Sequence, residues 1–126
     1  MSRIRGADTV PERLVRSFLH RLGLRFRVND TRLPGRPDVV LPRARTVIFV
    51  HGCFWHRHAG CSYATTPSSN EAFWREKFAA NVQRDARTVK ALEDAGWRVE
   101  IVWQCEIWEV GRLEQLGIEL LSLLDK

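Results

Sequence analysis

The sequence lacks the features that mark membrane proteins and disulfide-rich secreted proteins. It contains three cysteines among 126 residues, and it has no apolar run long enough to cross a membrane. Its first residues, M-S-R-I-R-G, include no signal-peptide core. A small, odd number of cysteines argues against a disulfide framework and favours reduced thiols that can bind a metal. We therefore expect a cytoplasmic protein with no membrane association.

Basic residues outnumber acidic ones, and this excess of positive charge indicates which class of molecule the protein binds. The net charge is +5 and the sequence pI is about 9.7. Arginine forks match phosphate oxygens and guanine edges, so nucleic acid is the leading partner class. A basic surface that serves only solubility is the alternative. The length indicates one domain, residues 1–126, with a substantial core.

Hydrophobic patterning predicts an α/β fold with the element order α-β-β-β-α-β-α. Capping-box pairs, Thr9 with Glu12 and Ser68 with Glu71, open the first two helices. Short connections make the first three strands antiparallel, whereas a helical crossover makes the fourth parallel to its neighbour. The product is a small mixed four-stranded sheet flanked by helices. The predicted helices cover 9–22, the stretch from the Ser68–Glu71 pair to about Ala95, and 112–124. The predicted strands cover 24–28, 38–41, 46–50 and 97–103.

Metal-binding residue types are concentrated just after the third predicted strand. Two of the three cysteines and three of the four histidines lie between positions 51 and 61. Cys53, His58 and Cys61 have C-x4-H-x2-C spacing, and a closed zinc site needs a fourth ligand. Cys105 follows the fourth strand, beside the third, and can supply that ligand. We therefore predict a structural zinc held by three cysteines and a histidine; the alternative is that Cys105 is an ordinary buried thiol.

A carboxylate and two further histidines suggest chemistry at the same end of the sheet. Asp38 opens the second strand, next to the strand that ends at Val50–His51. Taken alone, an Asp after Pro is more typical of a turn. Beside His51 and His56, however, it predicts a Mg²⁺ ligand next to imidazoles that can move protons near neutral pH.

Large aromatic residues are the third feature of the pattern. Phe54 and Trp55 are consecutive within the ligand loop, where both cannot easily point inward, and Trp74 lies in the following helix. Such side chains can wedge between base steps of DNA. Ordinary packing is the alternative, and for Trp74 the two interpretations are about equally supported.

Four motifs together resemble the very short patch repair (Vsr) DNA mismatch endonucleases. They are L-P-G-R-P-D-V-V, V-I-F-V-H-G-C-F-W-H-R-H, F-W-x-x-K-F-x-x-N-V-x-R-D and G-W-R-V-E-I-V-W-Q-C. The match runs from about Ile4 to Cys105. It implies a restriction-endonuclease-like core, a bacterial-type cytoplasmic setting and a strand-specific nick 5′ to the thymine of a T:G mismatch. Double-stranded DNA carrying T:G is the implied partner of an expected monomer, with other mismatch-repair proteins as candidate partners.

The resemblance also assigns roles to individual residues. It implies Asp38 as the Mg²⁺ ligand, His56 as the general base or water activator, and His51 and Glu12 as supporting catalytic residues. Where many such nucleases carry a second acid and a lysine, this chain has Phe49-Val50-His51, and the backbone carbonyl of Val50 would be the second Mg²⁺ ligand. The implied zinc ligands are Cys53, His58, Cys61 and Cys105. The implied DNA-contacting residues are Ile4, Arg36, Phe54, Trp55 and Trp74.

Two other functions fit the same residues. One is a restriction-type or structure-specific nuclease of the same fold without mismatch preference. The other is a DNA-binding module stabilised by zinc and lacking catalysis, although the combination of Asp38 with His56 argues against it. Function is a property of the site and not of the fold, so fold alone does not separate these possibilities.

Overall fold

The sheet of this protein has helices on both faces. The computed structural model describes residues 10–58, 60, 61, 64, 65, 67–109 and 111–124, without the side chains of Phe54 and Trp55. The elements are α1 (Val10–Arg21), β1 (Arg27–Val28), β2 (Val39–Leu41), β3 (Thr46–His51), α2 (Cys53–His56), α3 (Glu71–Asp94), β4 (Arg98–Trp103), a 3₁₀ helix (Gln104–Trp108) and α4 (Arg112–Leu124). The predicted order and fold class are confirmed, and two short helices are additional.

The four strands lie in the order β1-β2-β3-β4. β1 pairs antiparallel with β2, and β2 pairs antiparallel with β3. β4 pairs parallel with β3, from Thr46 opposite Arg98 to His51 opposite Trp103. The long helix α3 makes the crossover that this parallel pairing requires. The ends of β3 and β4 therefore lie side by side, as the sequence predicted.

Alternation along the strands divides the core into two parts. Val39, Leu41 and Ile48 belong to a cluster with α1 and α4, where Val15, Leu19, Leu116 and Leu120 are buried. Val40, Val47 and Phe49 belong to a second cluster, with Leu92 of α3. Successive side chains of a strand point to opposite faces. His51 therefore points to the same face as Phe49, which is the face covered by α3.

Several details of the helices and strands differ from the sequence predictions. β1 is only two residues long, because Leu24 and Phe26 pack into the core before sheet pairing begins. The predicted capping role of Ser68 is wrong: Asn70 is the residue that precedes α3, and it makes no side-chain capping hydrogen bond. Thr9, the predicted cap of α1, lies outside the described residues, as does Ile4.

The packing of α1 against α4 depends on a glycine. Leu14, Phe18 and Leu22, which repeat every four residues along α1, are only partly buried, and the fully buried face is formed by Val15 and Leu19. A Cβ at Gly117 would lie 2.7 Å from Leu22 Cδ1. Gly117 therefore allows close approach of the two helices. Within the described residues, no helix is both long enough and apolar enough to span a membrane.

A second glycine holds the β1–β2 loop against α3. Gly35 has φ +75°, and a Cβ there would lie 2.4 Å from Thr88 Cγ2 and 3.3 Å from the ring of Phe49. Only glycine combines this backbone conformation with so close an approach. The contact fixes the loop three residues before Asp38, so it helps to set the position of that carboxylate.

Replacing Gly35 by alanine should therefore destabilise the fold more than replacing Gly23. Gly23 also has positive φ, +81°, but a Cβ added there would have no atom within 4 Å, so Gly23→Ala should cost only the left-handed backbone penalty of about 1–2 kcal/mol. Gly35→Ala should cost about 1–3 kcal/mol more, in the range of overpacking. Urea unfolding measures both. Adding Thr88→Ser, which deletes Cγ2, should recover part of the loss; equal losses for the two alanine variants would contradict the close contact.

Candidate active site and metal centre

A cavity of about 630 Å³ lies at the C-terminal end of β3. The β1–β2 loop, the first turn of α1 and the middle of α3 form its walls. The four predicted catalytic residues all line it: Glu12, Asp38, His51 and His56. The structure thus brings together side chains from α1, β3, α2 and the start of β2. Asp85 of α3 lines the same cavity.

Asp38 is bound to the neighbouring strand through its side chain. Val50 N–H donates a hydrogen bond of 2.6 Å to Asp38 Oδ2. Burial raises the pKa of Asp38 to about 7, and the nearby charge of Glu12 adds to the increase, while the Val50 hydrogen bond and Arg16 oppose it. The ionised carboxylate is therefore unfavourable here unless a cation lies close by.

This environment fits a hard divalent cation. Mg²⁺ prefers carboxylate and carbonyl oxygens and keeps several waters. Asp38 offers a carboxylate, and its hydrogen bond with the Val50 amide brings the backbone of that residue next to the carboxylate. The donor types at this position are therefore suitable for Mg²⁺.

The two histidines of the cavity are stacked on each other. The rings of His51 and His56 lie 3.9 Å apart between centroids, with an interplanar angle of 6°. Burial lowers the pKa of His51 to about 4, and the adjacent His56 lowers it further. Nδ1 of His51 is buried without a hydrogen-bond partner in the structure. His51 is therefore neutral at physiological pH.

His56 has a carboxylate partner that the sequence analysis did not identify. Its Nδ1 lies 2.6 Å from Asp85 Oδ2. When the neutral ring donates its Nδ1 proton to Asp85, Nε2 remains as the proton acceptor. The hydrogen bond orients the imidazole and determines which ring nitrogen is left to accept a proton, as a general base requires.

Asp85 lies 29 positions after His56 along the chain, so no local spacing rule connects them. It does occur in the motif F-W-x-x-K-F-x-x-N-V-x-R-D, at its last position. Its place in this motif is the feature of the sequence that could have identified Asp85 as a candidate site residue. A carboxylate on the face of α3 that covers the third strand could have been paired with the histidines of that strand end.

The predicted metal ligands Cys53, His58, Cys61 and Cys105 form a cluster beside this cavity. Their ligand atoms all lie within 4.8 Å of one another. His58 Nδ1 lies 3.7 Å from Cys53 Sγ and 3.4 Å from Cys105 Sγ. Nitrogen and sulfur ligands at zinc-like bond lengths of about 2.0–2.3 Å in a tetrahedron are about 3.5 Å apart. The cluster thus has the composition of a metal site, and the two distances from His58 Nδ1 are close to the value expected for tetrahedral zinc.

The protonation chemistry of the cluster agrees with a cation site. Desolvation raises the pKa of the Cys105 thiol to about 12, and its contacts with Cys53 and Cys61 add to the increase. Several thiolates cannot share so small a space unless a positive charge neutralises them. The His58 ring also stacks on Trp103, 4.3 Å between centroids and 8° between planes, so the cluster is attached to the end of β4.

The predicted DNA-contacting residues differ in where the structure places them. Arg36 is exposed and lines the cavity. Trp74 stacks on Phe78 and meets Phe73 edge to face, so part of its ring is used in packing on α3. Ile4 and the side chains of Phe54 and Trp55 lie outside the described part of the chain.

Comparison with known proteins identifies the family. The family model for the DNA mismatch endonuclease Vsr matches residues 1–62. A type II nicking enzyme of Xanthomonas oryzae, V.XorIIP, is 50% identical over 114 residues, covering 90% of this chain and 83% of the relative. The DNA mismatch endonuclease Vsr of Escherichia coli is 48% identical, with 85% of this chain and 68% of the relative covered. This chain belongs to the Vsr family. A type II nicking enzyme of Neisseria meningitidis, V.NmeAIP, is 46% identical, with coverages of 85% and 76%.

Membership of the Vsr family gives the site its general function. The protein is a DNA nicking endonuclease with a restriction-endonuclease-like core, and it binds DNA. The predicted family and fold are thereby confirmed. The roles of the individual side chains remain predictions, to which the structure adds Asp85.

The pKa of Asp38 leads to a pH-dependent stability difference. In the absence of divalent cations, the folded chain binds a proton at Asp38 more tightly than the unfolded chain, whose ordinary pKa is 3.8. The contribution of Asp38 to stability should therefore fall as pH rises from about 4 to about 7 and stay reduced above that range. Asp38→Asn removes this penalty. We expect the variant to match the wild type near pH 4 and to exceed it by about 2–4 kcal/mol at pH 8.

Urea unfolding at a series of pH values measures this difference. The comparison with Asp38→Asn is needed because His51, whose pKa is lowered, contributes a pH dependence of the opposite sign to both proteins. A difference between the two proteins that does not change with pH would show that Asp38 is not held in a desolvated environment.

Proposed function

We propose that this protein nicks one strand of double-stranded DNA 5′ to the thymine of a T:G mismatch, by Mg²⁺-dependent phosphodiester hydrolysis. Such mismatches arise when 5-methylcytosine is deaminated, so the proposed setting is very short patch repair in the bacterial cytoplasm. One observation carries the proposal: the Asp38 carboxylate and the His56–Asp85 pair line the same cavity in a member of the Vsr family.

Asp38 and the backbone carbonyl of Val50 are the proposed Mg²⁺ ligands. Bound there, the cation would neutralise negative charge on the scissile phosphate and on the leaving oxygen. The hydrogen bond from the Val50 amide to the Asp38 side chain supports the proposal that these two residues bind the same cation. A valine is compatible with this role, because the carbonyl belongs to the backbone and does not depend on the side chain.

His56 is the proposed general base. Its Nε2 accepts the proton of the attacking water, while Asp85 holds Nδ1 and keeps the ring oriented. His51 supports the ring of His56 by stacking and, being neutral, adds no competing positive charge. Glu12 contributes a second carboxylate to the cavity, near Asp38. The products are a 5′-phosphate and a 3′-hydroxyl.

The cluster of Cys53, His58, Cys61 and Cys105 is the proposed structural zinc site. Four protein ligands leave no open position for a water or substrate, so zinc would stabilise the fold and take no part in hydrolysis. Cys53 begins the short helix that ends at His56. A closed metal site at Cys53 therefore restricts the position of the proposed base.

DNA contacts are proposed for Phe54, Trp55 and Trp74, as wedges that open the duplex at the mismatch, and for Ile4 and Arg36. The net charge of +5 supports binding to the phosphate backbone. A monomer is the proposed active form, with other mismatch-repair proteins as candidate partners.

A second candidate function is nicking without mismatch preference. The names of two relatives, both type II nicking enzymes, favour it. The same catalytic residues would serve both functions. The difference lies in how the duplex is opened, and therefore in the substrate.

A nicking assay on matched duplexes tests the proposal. We expect Mg²⁺-dependent cleavage of the T strand in a T:G duplex, 5′ to the mismatched thymine, and little cleavage of the otherwise identical T:A duplex. A panel that varies the bases flanking the mismatch defines the sequence context. Equal nicking of T:G and T:A duplexes would favour the second candidate, and binding without cleavage of any duplex would indicate a DNA-binding module.

Variants in the same assay test the side-chain roles. Asp38→Ala should abolish Mg²⁺-dependent nicking, and His56→Ala should reduce its rate about a hundredfold or more, the usual range for loss of a general base. Asp85→Ala should also reduce the rate, because the His56 ring loses its orientation, and combining it with His56→Ala should add little. Near-normal nicking by Asp38→Ala or His56→Ala would exclude that residue from the mechanism.

Metal analysis tests the structural site. Purified wild-type protein should contain about one zinc per chain, and Cys105→Ser should lower both the zinc content and the melting temperature, since metal affinity contributes to folding. A correctly folded wild-type chain without zinc would contradict the assignment.

A further inference from the structure

Two arginines line a cavity whose other charged groups are acids and histidines. Arg36 extends from the β1–β2 loop and Arg84 from α3. The acids Glu12, Asp38 and Asp85 line the same cavity. A DNA phosphate that enters next to three carboxyl groups is repelled unless positive charge lies nearby. The resemblance assigns Arg36 to DNA, whereas neither the resemblance nor the proposed mechanism gives Arg84 a role.

Arg84 differs from the arginines that stabilise the fold. The guanidinium of Arg112 hydrogen-bonds Glu106 and the carbonyl of Ile101, so it joins α4 to β4 and to the 3₁₀ helix. Arg84 Nη2 donates instead to Asn81 Oδ1, 2.8 Å away on the same helix. Arg84 is exposed, and this contact connects no two elements of the fold. The hydrogen bond orients the side chain but gives it no evident structural function.

The position of Arg84 on α3 places it close to the proposed catalytic residues. It immediately precedes Asp85, which holds His56, and it lies one helical turn before Thr88, which contacts the loop carrying Arg36. Residues four apart share a helix face. Arg84, Asp85 and Thr88 therefore present one surface of α3 to the cavity. This surface lies next to His56, because Asp85 holds that ring.

We propose that Arg84 binds a backbone phosphate of the nicked strand, adjacent to the scissile phosphate. The planar guanidinium offers several donors in a fixed fork, which suits two phosphate oxygens. In this role Arg84 holds the strand in register over His56 and offsets the negative charge of the cavity. The inference rests on the proposed function, because it takes DNA cleavage at His56 as its reference point.

Salt-dependent DNA binding tests the proposal directly. Affinity for a labelled T:G duplex is measured by fluorescence anisotropy across a range of salt concentrations, in buffer without divalent cations, so that the duplex stays intact. Arg84→Gln should weaken binding about tenfold and reduce the slope of log affinity against log salt by about one, as expected for loss of one phosphate contact. Arg84→Lys should keep the slope, since the charge remains, and lose only part of the affinity.

Lys90→Gln is the matched control. Lys90 lies on the same helix, is paired with Asp94 and does not line the cavity. The substitution removes the same charge, so it should leave the slope nearly unchanged. If Arg84→Gln behaves like Lys90→Gln, Arg84 does not bind a phosphate and the proposal is overturned.

The nicking assay run in parallel separates this proposal from the proposed function. Normal T:G nicking by wild type, combined with wild-type salt dependence of Arg84→Gln, would overturn the phosphate contact and leave the function standing. Equal nicking of T:G and T:A duplexes, combined with a reduced slope for Arg84→Gln, would overturn mismatch preference and support the phosphate contact.

Discussion

The parallel pairing of β3 with β4 is the contact on which the rest of the site depends. It aligns six residue pairs, ending with His51 opposite Trp103. The segments that follow these strands therefore begin next to each other, and Cys105 reaches the loop that contains Cys53, His58 and Cys61. A parallel pair also requires a long crossover. That crossover is α3, which brings Asp85 over the end of β3.

One strand end thus supports two chemically different centres. The cysteine-rich cluster contains three thiols and an imidazole that lie close enough together to share one metal ion. The adjacent cavity contains oxygen ligands and imidazoles. Only two residues separate Cys53 from His56, and both belong to α2. Any movement of the cluster is therefore transmitted to the histidine, which has little freedom between its stacking partner and Asp85.

Burial acts in opposite directions on the two types of titratable group in the cavity. It raises the pKa of Asp38 and lowers that of His51, so both neutral forms are favoured. A cation at Asp38 would restore the ionised carboxylate, whereas the effect of Asp85, which favours a charged His51, is smaller than the opposing effects of burial and His56. The cavity is thus suited to receive positive charge near Asp38 and to hold an uncharged ring beside His56.

Much of this arrangement could be predicted from the sequence, because it follows from local pattern. Short apolar runs located the strands, and the dense cluster from His51 to Cys61 located both centres. Asp85 could not be predicted from spacing, since its partner His56 lies 29 positions away and only the packing of α3 joins them. The role of Gly117 likewise depends on contacts with α1. Helix propensity alone indicates that a glycine within a helix is unfavourable. It does not indicate that a neighbouring helix packs closely against that glycine.

The shortness of β1 has a consequence for solubility. A sheet that ends in a long, flat strand exposes unpaired amides and carbonyls that can recruit strands from other molecules. Here the edge strand has two residues, one of them the exposed Arg27. At the other edge, Arg112 donates a hydrogen bond to the carbonyl of Ile101. The short strand at one edge and the bonded carbonyl at the other both disfavour pairing with a strand of another molecule, which is one route to aggregation.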